Sequence, residues 1–493
     1  MKKHLLGILL FITGGVCHAE DITIRYNGSA AKVSQSTKDS VSVIVDGANV
    51  SVESKYKSHK LTLLLTGKSA DGQLMLKTAG KAKIKLNGLT LTSQEGAPIW
   101  LKNKKKVEIV AVKGTENTLT VTACKDTANH KAAVIWAKDK LLLSGKGKLN
   151  IIATGDGCRG IKTKKDITIE ELTLNVTTSG DNLGEKPFGF GDFPMPNDSV
   201  KGGFPNFPMP NDSVMRAQFP GFPGMPEGGF KMPEGGFPNF GGFPMPNDSI
   251  EGGFGGGFGG KHKYVASTKG IASKGKITIN SGNVTVRTST AGAEGIEGKE
   301  GVVFNGGNVD VLSPDDAINA GACIEFNGAN VIARSTGNDA VDSNPKGGFF
   351  MPFGNNEQST DTAIVVRGGT VYAWSQVGSP EEGLDCDFAP LVVEGGTIFS
   401  VGGGMGEMPS VPTNATAKQP TVLLVGLNVV ENEPIIISDA NGNVIDTVIV
   451  PFSMRRSASL VSSPSFKVGE TYTVKTKDYE RSFQLNEQFT TVR

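Results

Sequence analysis

Very little in this sequence suits a soft metal or a redox centre. Five cysteines and five histidines are spread through 493 residues. Neither Cys124, Cys158, Cys323 and Cys386 nor His59, His130 and His262 stand at metal-ligand spacing. The four cysteines are therefore expected as interior or turn residues and not as a disulfide framework. Long apolar runs are also missing beyond Leu5–Ile12, so no later segment is expected to span a membrane. Excess charge is absent as well: 50 Lys and Arg stand against 49 Asp and Glu, a net +1. That balance gives no support to nucleic-acid binding, although it leaves room for local charged sites.

The one apolar run follows Lys2 and Lys3 and ends before the small residues around Cys17-His18-Ala19. It reads as a signal peptide over residues 1–19, cleaved after Ala19, with a mature protein that is secreted or held at the cell surface. Gly14-Gly15-Val16 is a poor match to the box that would lipidate Cys17.

What the chain has in abundance is a repeat of 22 to 25 residues. One phrase recurs as Lys269-Gly270-Ile271-Ala272, Glu294-Gly295-Ile296-Glu297, Asp316-Ala317-Ile318-Asn319 and Asp339-Ala340-Val341-Asp342. It returns as Glu382-Gly383-Leu384-Asp385, with an earlier copy at Arg159-Gly160-Ile161-Lys162. Two further short strands follow in each unit, such as Lys276–Asn280 and Asn283–Val286. Units this small cannot bury an apolar face alone and must stack. The runs are too short and too β-branched for helices. Glycines such as Gly282, Gly306-Gly307, Gly328 and Gly368-Gly369 fit corners with positive φ. The fold class is therefore all-β, a right-handed parallel β-helix solenoid with a C-terminal β cap. Blades of a propeller need a longer period, and sandwiches keep no fixed one.

The expected organisation is a first part of the β-helix over residues 20–186, a Gly/Pro/Phe/Met-rich insertion over 187–262, a second part over 263–415 and a β-rich cap over 416–493. Residues 21–40 are expected to cover the open edge, and the pairs Ile99-Trp100 and Ile135-Trp136 to mark two early coils. The insertion holds three near-copies of Phe-Pro-Met-Pro-Asn-Asp-Ser, the first at Phe193–Ser199, and excludes continuous strands or helices. It reads either as a low-complexity loop or as an adhesive, sugar-stacking arm. In the tail, four ordinary strands at 419–425, 433–437, 444–450 and 471–475 are expected to cap the last coils.

The strongest chemical signal is an acidic column. In-register coils lie about 4.8 Å apart, which stacks Glu294, Asp316, Asp339 and Glu382 in one file. Glu297, Asn319, Asp342 and Asp385 form a second, and Asp315 adds a carboxylate beside Asp316. Two like charges at that spacing repel by about 1 kcal/mol in water and about 3.5 kcal/mol at an effective dielectric of 20. Calcium is the natural offset, because it accepts many oxygen ligands in flexible geometry where magnesium demands an octahedron. The alternative is that the acids face solvent at turns and bond the local backbone.

These features together resemble the bacterial carbohydrate-binding parallel β-helix family, whose relatives bind pectic and cellulosic polysaccharides and are related in fold to pectate lyases. The resemblance spans roughly residues 40–180 and 265–475. It rests on Gly114–Leu119, the Gly-Ile and Asp-Ala-Ile-Asn coils, Glu382–Asp387, Gly403–Gly406, and the tail segments Leu460–Pro464 and Gly469–Val474. It implies a noncatalytic module for acidic, pectin-like polysaccharide with calcium at the turns. On matching positions the implied ligands are Glu294, Glu297, Asp315, Asp316, Asp339, Asp342, Glu382, Asp385 and Asp387, with Asn319 in the same file. The coils with Lys269 and Lys162 depart from the acidic pattern, and those lysines are placed to meet uronate carboxylates directly.

Two other readings stand beside it. A calcium-dependent polysaccharide lyase would need an Arg or Lys base facing the acids, and Arg287, Arg334 and Arg367 lie on nearby strands. A cell-surface scaffold would use the solenoid only as a spacer. Tyr372 and Trp374 share one face of their strand and, if exposed, form a sugar-stacking platform; Arg287 and Arg334 complete the expected carbohydrate contacts.

Overall fold

The computed structural model describes residues 21–36, 40–124, 132–185, 264–345, 361–387, 389–404 and 409–493. Residues 1–19, expected as a signal peptide, and the insertion at 187–262 lie outside these residues. The chain divides into two units, residues 1–186 with 262–493 and residues 187–261, and every described residue belongs to the first.

Three parallel ladders build that unit, and no helix occurs among the described residues. The first ladder carries the Gly/Ala-aliphatic phrase. It passes through Ile99–Leu101, Ala133–Ala137, Arg159–Thr163, Ile271–Ser273, Ile296–Gly298, Ile318–Ala320, Val341–Ser343 and Leu384–Asp385. The second passes through Val107–Ala111 to Leu391–Val393 and the third through Glu116–Val121 to Thr397–Val401, both continuing at their start into Ala82–Ser93. The architecture is a parallel β-helix.

Register is strict, because the apolar residue of each rung sits on its own copy in the next. Ile161, Ile271, Ile296, Ile318, Val341 and Leu384 form one such file, all buried. A slip by one residue would turn every one of them outward. Phe304 and Phe326 stack inside with centroids 5.1 Å apart. Asparagines do the same at the corners: Asn308 donates to Asn283 at 2.9 Å and Asn330 to Asn308 at 3.0 Å, an amide ladder of the kind that stacked strands favour. Of the corner glycines, Gly282, Gly307 and Gly369 have positive φ, whereas Gly306, Gly328 and Gly368 do not; only the glycine next to the third strand needs the left-handed region.

The insertion leaves the stacking intact. Ile161 pairs with Ile271 and Leu174 with Val284, so the coils on either side of residues 187–261 are direct neighbours. At one end, Ile22–Asn27 and Ala30–Gln35 form a hairpin whose first strand pairs in parallel with Leu61–Ser69. At the other, Met454–Ser462 pairs antiparallel with Thr397–Val401 and with Thr421–Val429. The tail therefore closes the sheet edge and holds seven strands, not four. The sequence pattern missed Met454–Ser462, Tyr479–Gln484 and Phe489–Val492, in which serine and charged residues interrupt the apolar alternation.

The repeat's small residue has a steric reason. A Cβ added at Gly295 would lie 2.3 Å from Val311 Cγ1 and 2.5 Å from the Ala317 carbonyl oxygen. Gly295→Val is expected to destabilise the fold by roughly 1–3 kcal/mol through overpacking. Urea denaturation reads this directly, and an unchanged midpoint would contradict the close approach.

Candidate functional site

The acidic files form as the stacking requires. Backbone N–H groups of Gly270, Gly295, Ala317 and Ala340 donate to the carbonyls of Glu294, Asp316, Asp339 and Glu382, which fixes Lys269, Glu294, Asp316, Asp339 and Glu382 in one row. The outward row of the first ladder reads Trp100, Trp136, Lys162, Ala272, Glu297, Asn319, Asp342 and Asp385. Both rows pass from a basic residue, Lys269 in one and Lys162 in the other, to acids along the axis.

Three different local solutions handle the acids. In the first, Lys269 reaches across one coil, and its Nζ lies 2.8 Å from both Glu294 Oε2 and Glu297 Oε2. Lys299 pairs with the other oxygen of Glu297. Burial pushes the Glu297 carboxyl up, but the two ammoniums outweigh it and hold it at about 2. Burial keeps Glu294 raised despite Lys269. Glu294 and Glu297, expected as calcium ligands, are thus occupied by internal cations, and Lys269 is an internal partner, not an outward sugar contact.

In the second, Asn319 Nδ2 bridges Asp316 Oδ2 at 2.7 Å and Asp342 Oδ2 at 3.0 Å. An amide can join two carboxylates where a third acid would repel them. Asp316 is 2% exposed, and its Oδ1 has no hydrogen-bond partner among the described residues. Burial first, then the charges of Asp342, Asp315 and Asp339, push its carboxyl well above the usual range. Asp315 sits apart from this bridge and accepts from Asn338 Nδ2 at 2.8 Å.

In the third, Asp339 accepts the Glu382 N–H, and Glu382 Oε2 accepts the Ser410 N–H at 2.7 Å. Asp385 Oδ1 accepts the Asp387 N–H at 3.0 Å, with Asp387 in the left-handed region. Burial and Asp385 raise Glu382 to about 8, and burial with Asp385 and Asp342 raises Asp339 well above its ordinary value.

The donor set from Asp316 to Asp387 is oxygen-rich and suits calcium in kind, and the orphaned Asp316 oxygen is the place where a cation would relieve the most. As the side chains stand, no three acidic, histidine or cysteine residues converge on a metal position among the described residues.

The expected aromatic platform is covered. Tyr372 and Trp374 do face away from the coil interior and stack with centroids 5.6 Å apart. They lie under the cap, in the cluster with Val422, Ile437 and Val448, and Trp374 is only 5% exposed. The Tyr372 hydroxyl is bonded to Asp446. The cap needed an apolar partner, and these rings supply it. Arg287 and Arg334 lie on the third ladder, both bound to Asp310, Arg334 at 3.0 Å. They are not placed as bases for the acidic rows. Arg367 is held by Glu325 at 2.7 Å and Glu394 at 3.1 Å.

Lys162 remains in the outward row, half-buried, its ammonium pushed down to about 8 by burial and then by Arg159, Lys274 and Lys164. Trp100 and Trp136 are two residues whose place in this row sequence reasoning passed over. The signal was available: each follows the same aliphatic as Lys162 and Glu297 do.

The raised carboxyls have a pH consequence. A folded-state value above the unfolded one gives a contribution that is full below the ordinary carboxylate range and lost as pH rises through the folded value. For Glu382 that window runs from about 4.5 to about 8. In calcium-free buffer the melting temperature is expected to fall across this window, less steeply in Glu382→Gln. Parallel pH profiles for the two proteins would contradict the assignment.

Comparison with known proteins covers part of the chain that carries these rows. Residues 46–186 and 252–343 match the family model described as carbohydrate-binding domain-containing protein. A carbohydrate-binding domain-containing protein of Acetivibrio thermocellus is 28% identical over 138 residues, 27% of this chain and 48% of the relative. The chain thus spans about half the length of that curated relative. A solved structure described as a polysaccharide lyase-like protein from C. thermocellum, a gadolinium derivative, aligns over 63% of this chain and 90% of its own, at 17% identity and a TM-score of 0.38. The resemblance read from the repeats is therefore met by the carbohydrate-binding domain-containing protein family over residues 46–186 and 252–343.

Proposed function

We propose that this is an exported, noncatalytic protein that binds acidic, pectin-like polysaccharide along the first ladder, with calcium held by the acidic coils. The observation that carries the reading is Asp316 Oδ1, a buried carboxyl oxygen with no donor among the described residues, in a file whose basic end is where lysines meet the carboxylates. A divalent cation held by Asp316, Asp339, Asp342, Glu382 and Asp385 would supply the missing positive charge and bring coordination sites for glycan oxygens. The family match supplies the carbohydrate class.

A lyase reading has one observation in its favour, Lys162, whose lowered ammonium value suits a base at the margin of the acids. Glycan-array binding with and without a chelator, followed by an assay for unsaturated products, separates the two. Binding lost on chelation with no product is expected; calcium-dependent product would reverse the order.

Stability gives a second check. Calcium is expected to raise the melting temperature of the wild type by the linkage effect of a ligand bound only to the folded state. Asp316→Asn combined with Asp339→Asn should shrink that shift, yet be neutral or stabilising without calcium because like-charge repulsion is relieved. Equal calcium affinities by calorimetry would sink the shared site.

A further inference from the structure

One row of the coil is made almost wholly of lysine, at the corner where the first ladder turns toward the second. The N–H of Lys138 donates to the Leu101 carbonyl at 3.0 Å, Lys164 to Ala137 at 3.1 Å, Lys274 to Thr163 at 3.2 Å and Lys299 to Ser273 at 3.1 Å. Lys102 continues the same row, bonded to the Leu76 carbonyl at 2.7 Å, and Lys77, paired with Glu53, lies beyond it. From Lys102 to Lys299, five consecutive coils therefore present a lysine at one position, spaced by the strand separation of about 4.8 Å. Past the fifth the row continues as Gly321 and Asn344.

The two ends of this stretch are committed. Lys102 lies over the Trp100 ring, 3.9 Å from its centroid, and Lys299 is paired with Glu297. The three middle lysines, Lys138, Lys164 and Lys274, have no ion pair among the described residues. With Lys104, Lys165, Asn103 and Asp139 they line an open depression of about 550 Å³. Its floor is rigid: Asn103 is fully buried, and its Oδ1 accepts the N–H groups of Lys138 at 3.2 Å and Asp139 at 3.3 Å. Asp139 is the only acid in the lining, while Lys140 beside it is paired with Asp166 at 2.8 Å. The positive field reaches the neighbouring row, where Lys164 and Lys274 help depress Lys162.

We infer that Lys138, Lys164 and Lys274 form a binding rail for an anionic polysaccharide laid parallel to the coil axis, one sugar carboxylate per coil. The inference rests on the proposed polysaccharide binding and adds the residues that select for charge. Neighbouring ammoniums at coil spacing repel by about 1 kcal/mol in water, a cost that an anionic chain with a matching spacing of carboxylates would offset. Ammonium groups on long stems accept carboxylates at a range of angles, which suits a flexible chain.

The test uses the full chain, an oligogalacturonate probe, its carboxyl-reduced neutral counterpart, and a DNA duplex of similar charge. Wild type should bind the oligogalacturonate more tightly than the other two, with affinity falling as salt rises. Combining Lys138→Gln, Lys164→Gln and Lys274→Gln should weaken it about tenfold, the sum of three exposed charge contacts, while leaving the neutral glycan and the calcium-induced melting shift unchanged. The matching triple arginine variant should retain binding, which separates charge from folding. Equal affinity of wild type and the glutamine variant for oligogalacturonate would overturn the rail and leave polysaccharide binding standing. Tighter binding of DNA than of oligogalacturonate would overturn it as well, and failure to bind any glycan would remove both proposals.

Discussion

Everything in this molecule depends on the parallel backbone ladder, which places each residue next to its own copy one coil away. That rule rewards side chains that gain from self-contact and penalises those that do not. Aliphatics, stacked phenylalanines and asparagine amides gain, and they fill the interior and corners in uninterrupted files. Charges lose, and the chain still stacks them.

The charged files show how a neutral protein can be strongly polarised. A net charge of +1 conceals a coil whose basic half carries Lys138, Arg159, Lys162, Lys164 and Lys274 and whose acidic half carries Asp316, Asp339, Asp342, Glu382 and Asp385. The boundary is stitched by Lys269, which sits between two glutamates of the next coil. Beyond it Asp316 is joined to Asp342 through the Asn319 amide, and Asp339 and Glu382 accept backbone N–H groups. Burial and the neighbouring carboxylates hold Asp316 and Asp339 well above their ordinary values, so these two side chains keep their protons more readily than exposed aspartates do.

Much of the fold was legible because its period is written in single residues. The aliphatic of each phrase located the rungs of the first ladder from Arg159–Thr163 to Leu384–Asp385, though not the earlier rung Gln73–Thr78, and the acids two before and one after it fell into the rows expected. What escaped the sequence were interactions that cross the period. A lysine stem long enough to span a coil pairs Lys269 with Glu294 and Glu297, which the sequence offered as calcium ligands, and no spacing rule announces that reach. Tyr372 and Trp374 were read as sharing one face, which turns away from the coil interior, but the cap that covers them is distant in sequence and lacks the repeat. The lysine row was present at a fixed offset of three after each aliphatic and is as regular as the acids. Exposed lysine is so common that periodicity alone did not mark it.

The joint between Arg159–Thr163 and Ile271–Ser273 carries a wider implication. The two strands are bonded as immediate neighbours although about a hundred residues separate them along the chain. Spatial order and chain order are thus decoupled at this corner. Since each doubling of a loop adds only about 0.6 kcal/mol of closure cost, a segment there can lengthen, shorten or change composition while the displayed rows keep their alignment. The coil behaves as a fixed ruler, and the corner as a port into which new sequence can be added without redrawing its marks.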